Sequence, residues 1–78
     1  MKRVLLIEDL PQVAEHLKGM LAREKEIEVA GVQAAAETGI TQATTEKPDI
    51  VLVDALLQGK ITGFDVAKRI RAALPPIF

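Results

Sequence analysis

Residues 48–54 read Pro-Asp-Ile-Val-Leu-Val-Asp. Four consecutive apolar residues lie between a proline-marked start and the carboxylate of Asp54. A continuous apolar run of this length is typical of a strand buried on both faces of a parallel sheet. Such a strand ends at the carboxyl edge of the sheet, where open α/β folds bind their ligands. We therefore predict that Asp54 leaves a buried strand and enters a ligand-binding crevice.

A second stretch of the same kind opens the chain. Residues 3–7 read Arg-Val-Leu-Leu-Ile and are followed directly by Glu8 and Asp9. If the two strands are neighbours, their carboxyl ends meet at one edge of the sheet. The sequence then predicts that Glu8, Asp9 and Asp54 lie within a few ångströms of one another.

Length and composition limit the classes of protein to consider. At 78 residues the chain is one small domain at most, with the 49% hydrophobic and 27% charged content of a globular protein. Ten basic and eleven acidic residues give a net charge of −1, which argues against general binding to nucleic acid or to a membrane surface. Without cysteine there is no disulfide or thiolate metal site, and no segment approaches the roughly 20 apolar residues of a membrane span. We expect a cytoplasmic protein.

The hydrophobic periodicity predicts strands and helices in alternation, β-α-β-α-β-α, followed by the start of a fourth strand. The order is that of a parallel α/β sheet with right-handed crossovers. We predict strands over residues 2–7, 27–32 and 50–53, helices over residues 11–24, 34–46 and 63–74, and a fourth strand beginning at residues 77–78.

Several local features refine this prediction. Asp9 is a candidate N-cap or near-cap of the first helix, and the charged Glu28 places the second strand at a sheet edge. Gly39 and the neighbouring threonines make the second helix weak. In the third helix the expected buried face comprises Phe64, Ala67, Ile70 and Leu74, with Val66 and Ala73. Pro75-Pro76 ends the helix.

Clustered carboxylates require a chemical explanation. Acids close together repel one another, so a proton or a cation must lie among them. Oxygen ligands without nearby His or Cys favour Mg²⁺ over Zn²⁺. With the metal bound, an ionised Asp54 can attack phosphorus and form an aspartyl phosphate. The alternative is that Glu8 and Asp9 merely cap a helix and Asp54 is a solvated loop acid; three acids at the ends of two apolar strands favour the metal site.

These motifs resemble the receiver domain of two-component response regulators. The resemblance spans the whole chain and is carried by residues 4–9 with Pro11, by residues 47–54, and by residues 63–67 with Arg69 and Ile70. It implies a flavodoxin-like (CheY-like), doubly wound parallel sheet with strand order 2-1-3-4-5. Two departures are visible: the loop after Asp54 lacks the Met-Pro pair of many members, and Gly63 follows Asp54 one position later than in the commonest spacing.

The resemblance also implies roles for individual residues. Asp54 would be the phosphoacceptor, and Glu8, Asp9, Asp54 and the backbone carbonyl of Leu56 would bind Mg²⁺, with Asp9 in direct contact and Glu8 mainly through water. The phosphoryl group would come from a histidine kinase or a phosphotransfer protein. The domain would switch an output partner, such as a C-terminal output domain, rather than act as an enzyme on a separate substrate.

The family's switch Ser/Thr and its phosphate-binding Lys would fall beyond Phe78. We therefore expect residues 1–78 to be the N-terminal part of a receiver domain, with an exposed strand edge that favours a homodimer or strand exchange. A non-phosphorylated interaction or dimerisation module on the same scaffold is the main alternative. A nucleotide-binding α/β unit is disfavoured because no glycine-rich loop follows the first strand.

Overall fold

Three strands and three helices alternate in the computed structural model, which describes residues 1–54 and 62–72. The α/β fold predicted from the sequence is confirmed. The elements are β1 (Lys2–Ile7), α1 (Pro11–Ala22), β2 (Ile27–Gln33), α2 (Ala36–Glu46), β3 (Ile50–Val53) and α3 (Gly63–Arg71). Predicted boundaries differ by at most two residues for the first two helices and by one for the second strand. The proline pair and the fourth strand expected after residue 74 lie outside the described residues.

The strands form a parallel sheet in the order β2-β1-β3. The chain passes from β1 to β2 on one side and then crosses back, through α2, to β3 on the other side of β1. The strand order therefore reverses between β1 and β3, and ligands of open α/β sheets bind outside the carboxyl ends of the strands at such a reversal. The predicted edge position of β2 is confirmed among the described strands.

The helices cover both faces of the sheet. On one face α2 and α3 pack over a buried cluster whose members are Leu5, Ile7, Ala36, Ala43, Val51, Val66 and Ile70. The alternate side chains of β1 point to the opposite face, where α1 lies and contributes the buried Ala14. β1 is thus the strand buried on both faces, since its residues from Val4 to Ile7 are at most 1% exposed.

β3 is less buried than its apolar sequence predicts. Val51 is buried, but Ile50, Leu52 and Val53 are half-buried. Among the described strands β3 has a neighbour only on the side of β1. The apolar sequence of β3 predicted a strand buried on both faces, but in the structure β1 is the strand with that burial.

α2 forms as predicted, and packing against β1 explains why it contains Gly39 although glycine is a poor helix former. A Cβ at this position would lie 2.5 Å from Cδ1 and 2.8 Å from Cγ1 of Ile7, so glycine lets the helix approach β1 closely. The helix ends, as predicted, before Pro48: the C-cap residue Lys47 takes a left-handed conformation with φ 51°.

The structure corrects one prediction about a helix surface and narrows another about a cap. Phe64 is 67% exposed, because Val66 and Ile70 share the buried face of α3 at i, i+4 spacing and residue 64 lies on the other side. Asp9 is not the N-cap of α1 but precedes it: the N-cap is Leu10, without a side-chain hydrogen bond, and Pro11 opens the helix.

The helix with a strong side-chain cap is α3. The Thr62 hydroxyl accepts a hydrogen bond from the Asp65 N–H at 3.2 Å, and the Asp65 carboxylate accepts one from the Thr62 N–H at 3.2 Å. This reciprocal capping box satisfies donors that a helix start otherwise leaves open. The hydrogen bonds from the backbone and hydroxyl of Thr62 lower the pKa of Asp65.

Candidate metal centre

The acidic residues continue directly from the carboxyl ends of β1 and β3. The Glu8 N–H donates to the Gln33 carbonyl of β2 at 2.9 Å, and the Asp54 N–H donates to the Ile7 carbonyl of β1 at 3.0 Å. Both strand ladders therefore extend one hydrogen bond beyond the last strand residue. These bonds fix the backbone from which the Glu8 and Asp54 side chains project.

The carboxylates of Glu8, Asp9 and Asp54 converge as the sequence predicts. One carboxylate oxygen from each residue lies within 4.8 Å of the others. Glu8 is only 7% exposed, while Asp9 and Asp54 are half-buried. A single ion could contact all three side chains. Their roles as ligands stay predictions, and Leu56, expected to add its carbonyl, lies outside the described residues.

Burial and neighbouring acids make Glu8 hard to ionise. Its pKa is raised above the ordinary 4.5, first by burial and also by the carboxyls of Asp54 and Asp9, while the Leu10 N–H, 3.3 Å from a Glu8 oxygen, acts in the opposite direction. A cavity of about 240 Å³ adjoins the site between α1 and the sheet, and its wall is largely apolar. Its lining residues are Leu6, Ile7, Glu8, Leu17, Leu52, Val53 and Asp54.

The donor set fits a hard divalent cation. Within the described part of the chain the group consists of three carboxylates, with neither histidine nor cysteine among them. Such a set matches the oxygen ligands of Mg²⁺ and lacks the softer ligands that select Zn²⁺. Burial is the main reason that the pKa of Glu8 is raised, and a dication here would offset the added effect of the neighbouring carboxyls. His16, the single histidine of the sequence, is exposed on α1 and does not belong to this cluster.

Sequence reasoning missed two glutamines next to the site. Gln33 holds the Glu8 N–H through its carbonyl, and its side chain is hydrogen-bonded to Gln42 of α2. Neither residue belongs to a pattern that indicates a metal site. The one available signal was Gly31 within the β2 pattern, since a glycine inside a strand often marks a bulge or a close approach.

The fold and the acids at the strand-order reversal define an α/β domain with a carboxylate site at its switch point. A family profile described as the response regulator receiver domain matches residues 4–77. The chain therefore belongs to the response regulator receiver domain family.

Curated relatives agree with this assignment. The transcriptional regulatory protein MctR of Rhizobium johnstonii is 38% identical over 73 residues, which cover 94% of this chain and 34% of MctR. A protein-glutamate methylesterase/protein-glutamine glutaminase of Syntrophus aciditrophicus is 32% identical over 75 residues, or 96% of this chain and 21% of that protein. The chain thus spans about a third or less of the length of these relatives.

Solved structures show the same fold. The signal receiver domain of a modulated diguanylate cyclase from Desulfovibrio desulfuricans superposes with a TM-score of 0.90 at 34% identity, over 100% of this chain and 62% of that one. The response regulator domain of Thermotoga maritima CheB gives a TM-score of 0.90 at 22% identity, over 99% and 57% of the two chains. No helix in residues 1–54 or 62–72 has the length and apolar character to cross a bilayer.

Proposed function

We propose that this chain is a phosphoacceptor module of a two-component phosphorelay, with Asp54 as the residue that takes the phosphoryl group. The observation that carries the proposal is the convergence of the Glu8, Asp9 and Asp54 carboxylates at the strand-order reversal of a receiver-family fold. A site of this kind costs stability when its acids repel, which is expected of a functional rather than a structural cluster.

The proposed reaction uses Asp54 as a nucleophile. A carboxylate oxygen of Asp54 attacks the phosphorus of a phosphohistidine; the O–P bond forms as the P–N bond breaks, and the imidazole leaves. Glu8 and Asp9, together with Asp54 and the carbonyl of Leu56, would hold Mg²⁺. When bound, Mg²⁺ supplies charge neutralisation at the transferred phosphoryl oxygens. Asp54 is half-buried and follows β3 at the carboxyl edge of the sheet, which is consistent with the proposed role.

The proposed partners follow from this chemistry and from the relatives. The phosphoryl donor would be a histidine kinase or a histidine phosphotransfer protein. MctR is a transcriptional regulatory protein of which this chain matches 34%, which supports an output domain in the parent protein. The family resemblance implies that this domain would follow the receiver. Homodimer formation or strand exchange through the sheet edge stays a prediction, which a light-scattering mass of a stable monomer would contradict.

Beryllofluoride tests the proposal, because with Mg²⁺ it mimics a phosphoryl group on a carboxylate. We expect a bound ¹⁹F resonance for the wild-type chain that requires Mg²⁺ and is lost in Asp54→Asn. The matched control is Asp49→Asn at the other end of β3, where the Asp49 carboxylate accepts a 2.8 Å hydrogen bond from the Arg3 N–H. Asp49→Asn should keep the signal. Absence of any bound signal in the wild type would favour the non-phosphorylated interaction module.

A further inference from the structure

A pair of half-buried glutamine side chains ties α2 to the end of β2 that faces the acidic cluster. The Gln33 Nε2 donates to the Gln42 Oε1 at 2.6 Å, and the Gln42 Nε2 donates to the Ala30 carbonyl at 3.4 Å. The single amide of Gln42 therefore contacts β2 at two points, one on either side of Gly31.

The Ala30 carbonyl belongs to a break in the β1–β2 ladder. Val4 lies opposite Val29, but the next residue, Leu5, lies opposite Gly31, so β2 contains one extra residue at Ala30. A bulge of this kind leaves the extra residue unpaired in the ladder. The Gln42 amide supplies a hydrogen-bond donor at that residue.

This bulge determines which residue of β2 accepts the hydrogen bond from the Glu8 N–H. Because of the one-residue shift, Gln33 stands opposite Ile7 and its carbonyl accepts the Glu8 N–H at 2.9 Å. Without the bulge, Val32 would stand opposite Ile7, and the last hydrogen bond before the acidic cluster would involve a different residue.

Gly31 makes room for the arrangement. A Cβ on residue 31 would lie 2.8 Å from the Gln42 Oε1 and 2.9 Å from its Cδ, so any side chain there would push the amide away. The missing side chain of Gly31 therefore leaves the space beside β2 that the Gln42 amide occupies.

We propose that Gln42 is a positioning residue for the acidic cluster and sets its affinity for Mg²⁺. By holding Ala30 and Gln33 together, its amide fixes the β2 bulge, and the Gln33 carbonyl in turn fixes the backbone of Glu8. The inference rests on the proposed function, because it assigns Gln42 to the same metal site. It makes α2, which carries none of the three acids, a determinant of metal binding.

The test compares Mg²⁺ affinities by isothermal titration calorimetry. Residues that support metal ligands change affinity by about 10–100-fold when they contact a ligand directly, so for the more remote Gln42→Ala we expect a loss of about three- to tenfold. Thr45→Ala, an exposed position one turn further along α2, is the matched control and should leave the affinity unchanged. Gly31→Ala should reproduce the loss, because it displaces the amide without removing it.

Hydrogen exchange separates positioning from a general loss of stability. In Gln42→Ala the Glu8 N–H should exchange faster, while the Asp54 N–H, bonded to Ile7 on the far side of β1, keeps its rate. The double variant Gly31→Ala/Gln42→Ala should bind Mg²⁺ no more weakly than Gln42→Ala alone, since both changes break one interaction.

The outcomes distinguish this inference from the proposed function. A wild-type chain that binds Mg²⁺, with unchanged affinity in both Gln42→Ala and Gly31→Ala, would overturn the positioning role alone. Equal acceleration of exchange at Glu8 and Asp54 would also overturn it. A wild-type chain that does not bind Mg²⁺ would overturn the proposed function and this inference with it.

Discussion

The two ends of the parallel sheet place acidic side chains in opposite electrostatic settings. At the amino end, the Arg3 guanidinium lies 3.6 Å from the carboxylate of Glu28 and 3.1 Å from that of Glu46. The backbone N–H of Arg3 donates to the carboxylate of Asp49. At the carboxyl end, three carboxylates lie within 4.8 Å of one another and Glu8 is buried among them.

The acidic side chains therefore affect the stability of the domain differently at the two ends of the sheet. Acids beside an arginine on an exposed surface contribute modestly to stability. Acids beside one another in a partly apolar crevice cost stability until a cation or a proton joins them. Neutralising an acid should therefore have opposite effects on the free energy of unfolding at the two ends.

The largest expected effect is on metal binding at the carboxyl end. Asp9→Asn removes one carboxylate charge from the cluster and should weaken Mg²⁺ binding by at least about 100-fold, the upper range for groups that only support a ligand. Calorimetric titration measures the loss. Asp49→Asn at the amino end should bind like the wild type; equal affinities for the Asp9 and Asp49 variants would contradict the contrast between the ends.

The next effect concerns the packing that holds the carboxyl end in place. Gly39→Ala should lower the free energy of unfolding by about 1–2 kcal/mol, because overpacking against Ile7 outweighs the gain in helix propensity. Gly19→Ala on α1 is the matched control: apart from neighbouring residues and the backbone of α1 itself, the described structure places no atom within 4 Å of the added Cβ, so a gain of about 0.5–1 kcal/mol is expected. Urea unfolding of both variants measures these changes in the free energy of unfolding. Stabilisation by Gly39→Ala would contradict the close approach of α2 to Ile7 of β1.

A smaller effect is the pH dependence from Glu8. Its raised pKa means that the folded chain holds this proton to higher pH than the unfolded chain. Between the ordinary value of 4.5 and the raised value, the folded state binds more protons, so the stability of the metal-free chain falls as the pH rises through this window.

Glu8→Gln should remove that fall while keeping an acceptor for the Leu10 N–H. In metal-free buffer the variant should have the higher melting temperature at neutral pH, and the difference from wild type should shrink toward acid pH. Mg²⁺ should reverse the ranking by stabilising the wild type more. A difference that is independent of pH would show that Glu8 does not titrate with a raised pKa.

The smallest expected effect is on stability at the amino end, and its sign is opposite to that of Glu8→Gln at neutral pH. Glu46→Gln weakens an exposed ion pair with Arg3, and such pairs contribute about 0.2–1 kcal/mol. The variant should therefore be slightly less stable at neutral pH, and the loss should diminish in high salt. Chemical unfolding at two salt concentrations measures it; a gain in stability would break the contrast with Glu8→Gln.

The sequence predicted the fold and the acidic cluster because both follow from local patterns. Apolar runs that end in acids mark buried parallel strands, and the carboxyl ends of neighbouring strands meet at one edge. The family resemblance identified the same three acids. Their convergence could be predicted without coordinates since only the adjacency of two strands was required.

Other features depend on tertiary packing that no local pattern encodes. Phe64 was expected in the core from its hydrophobicity, but the choice between the two sides of α3 is made by Val66 and Ile70 packing on the sheet. From the sequence, Gly39 was expected only to weaken α2, but the absence of a side chain there leaves room for the Ile7 side chain. The Gln33–Gln42 pair depends on a bulge in the register of β2, which a hydrophobic pattern does not specify.

The most direct test of the central idea, that the acids of the first and third strands share one Mg²⁺, is a titration followed by backbone amide NMR. We predict that the amide signals of Glu8, Asp9 and Asp54 shift together along a single binding curve, while those of Arg3 and Asp49 at the other end of the sheet stay in place. Separate curves for Glu8 and Asp54, or no shift at any of the three acids, would contradict it.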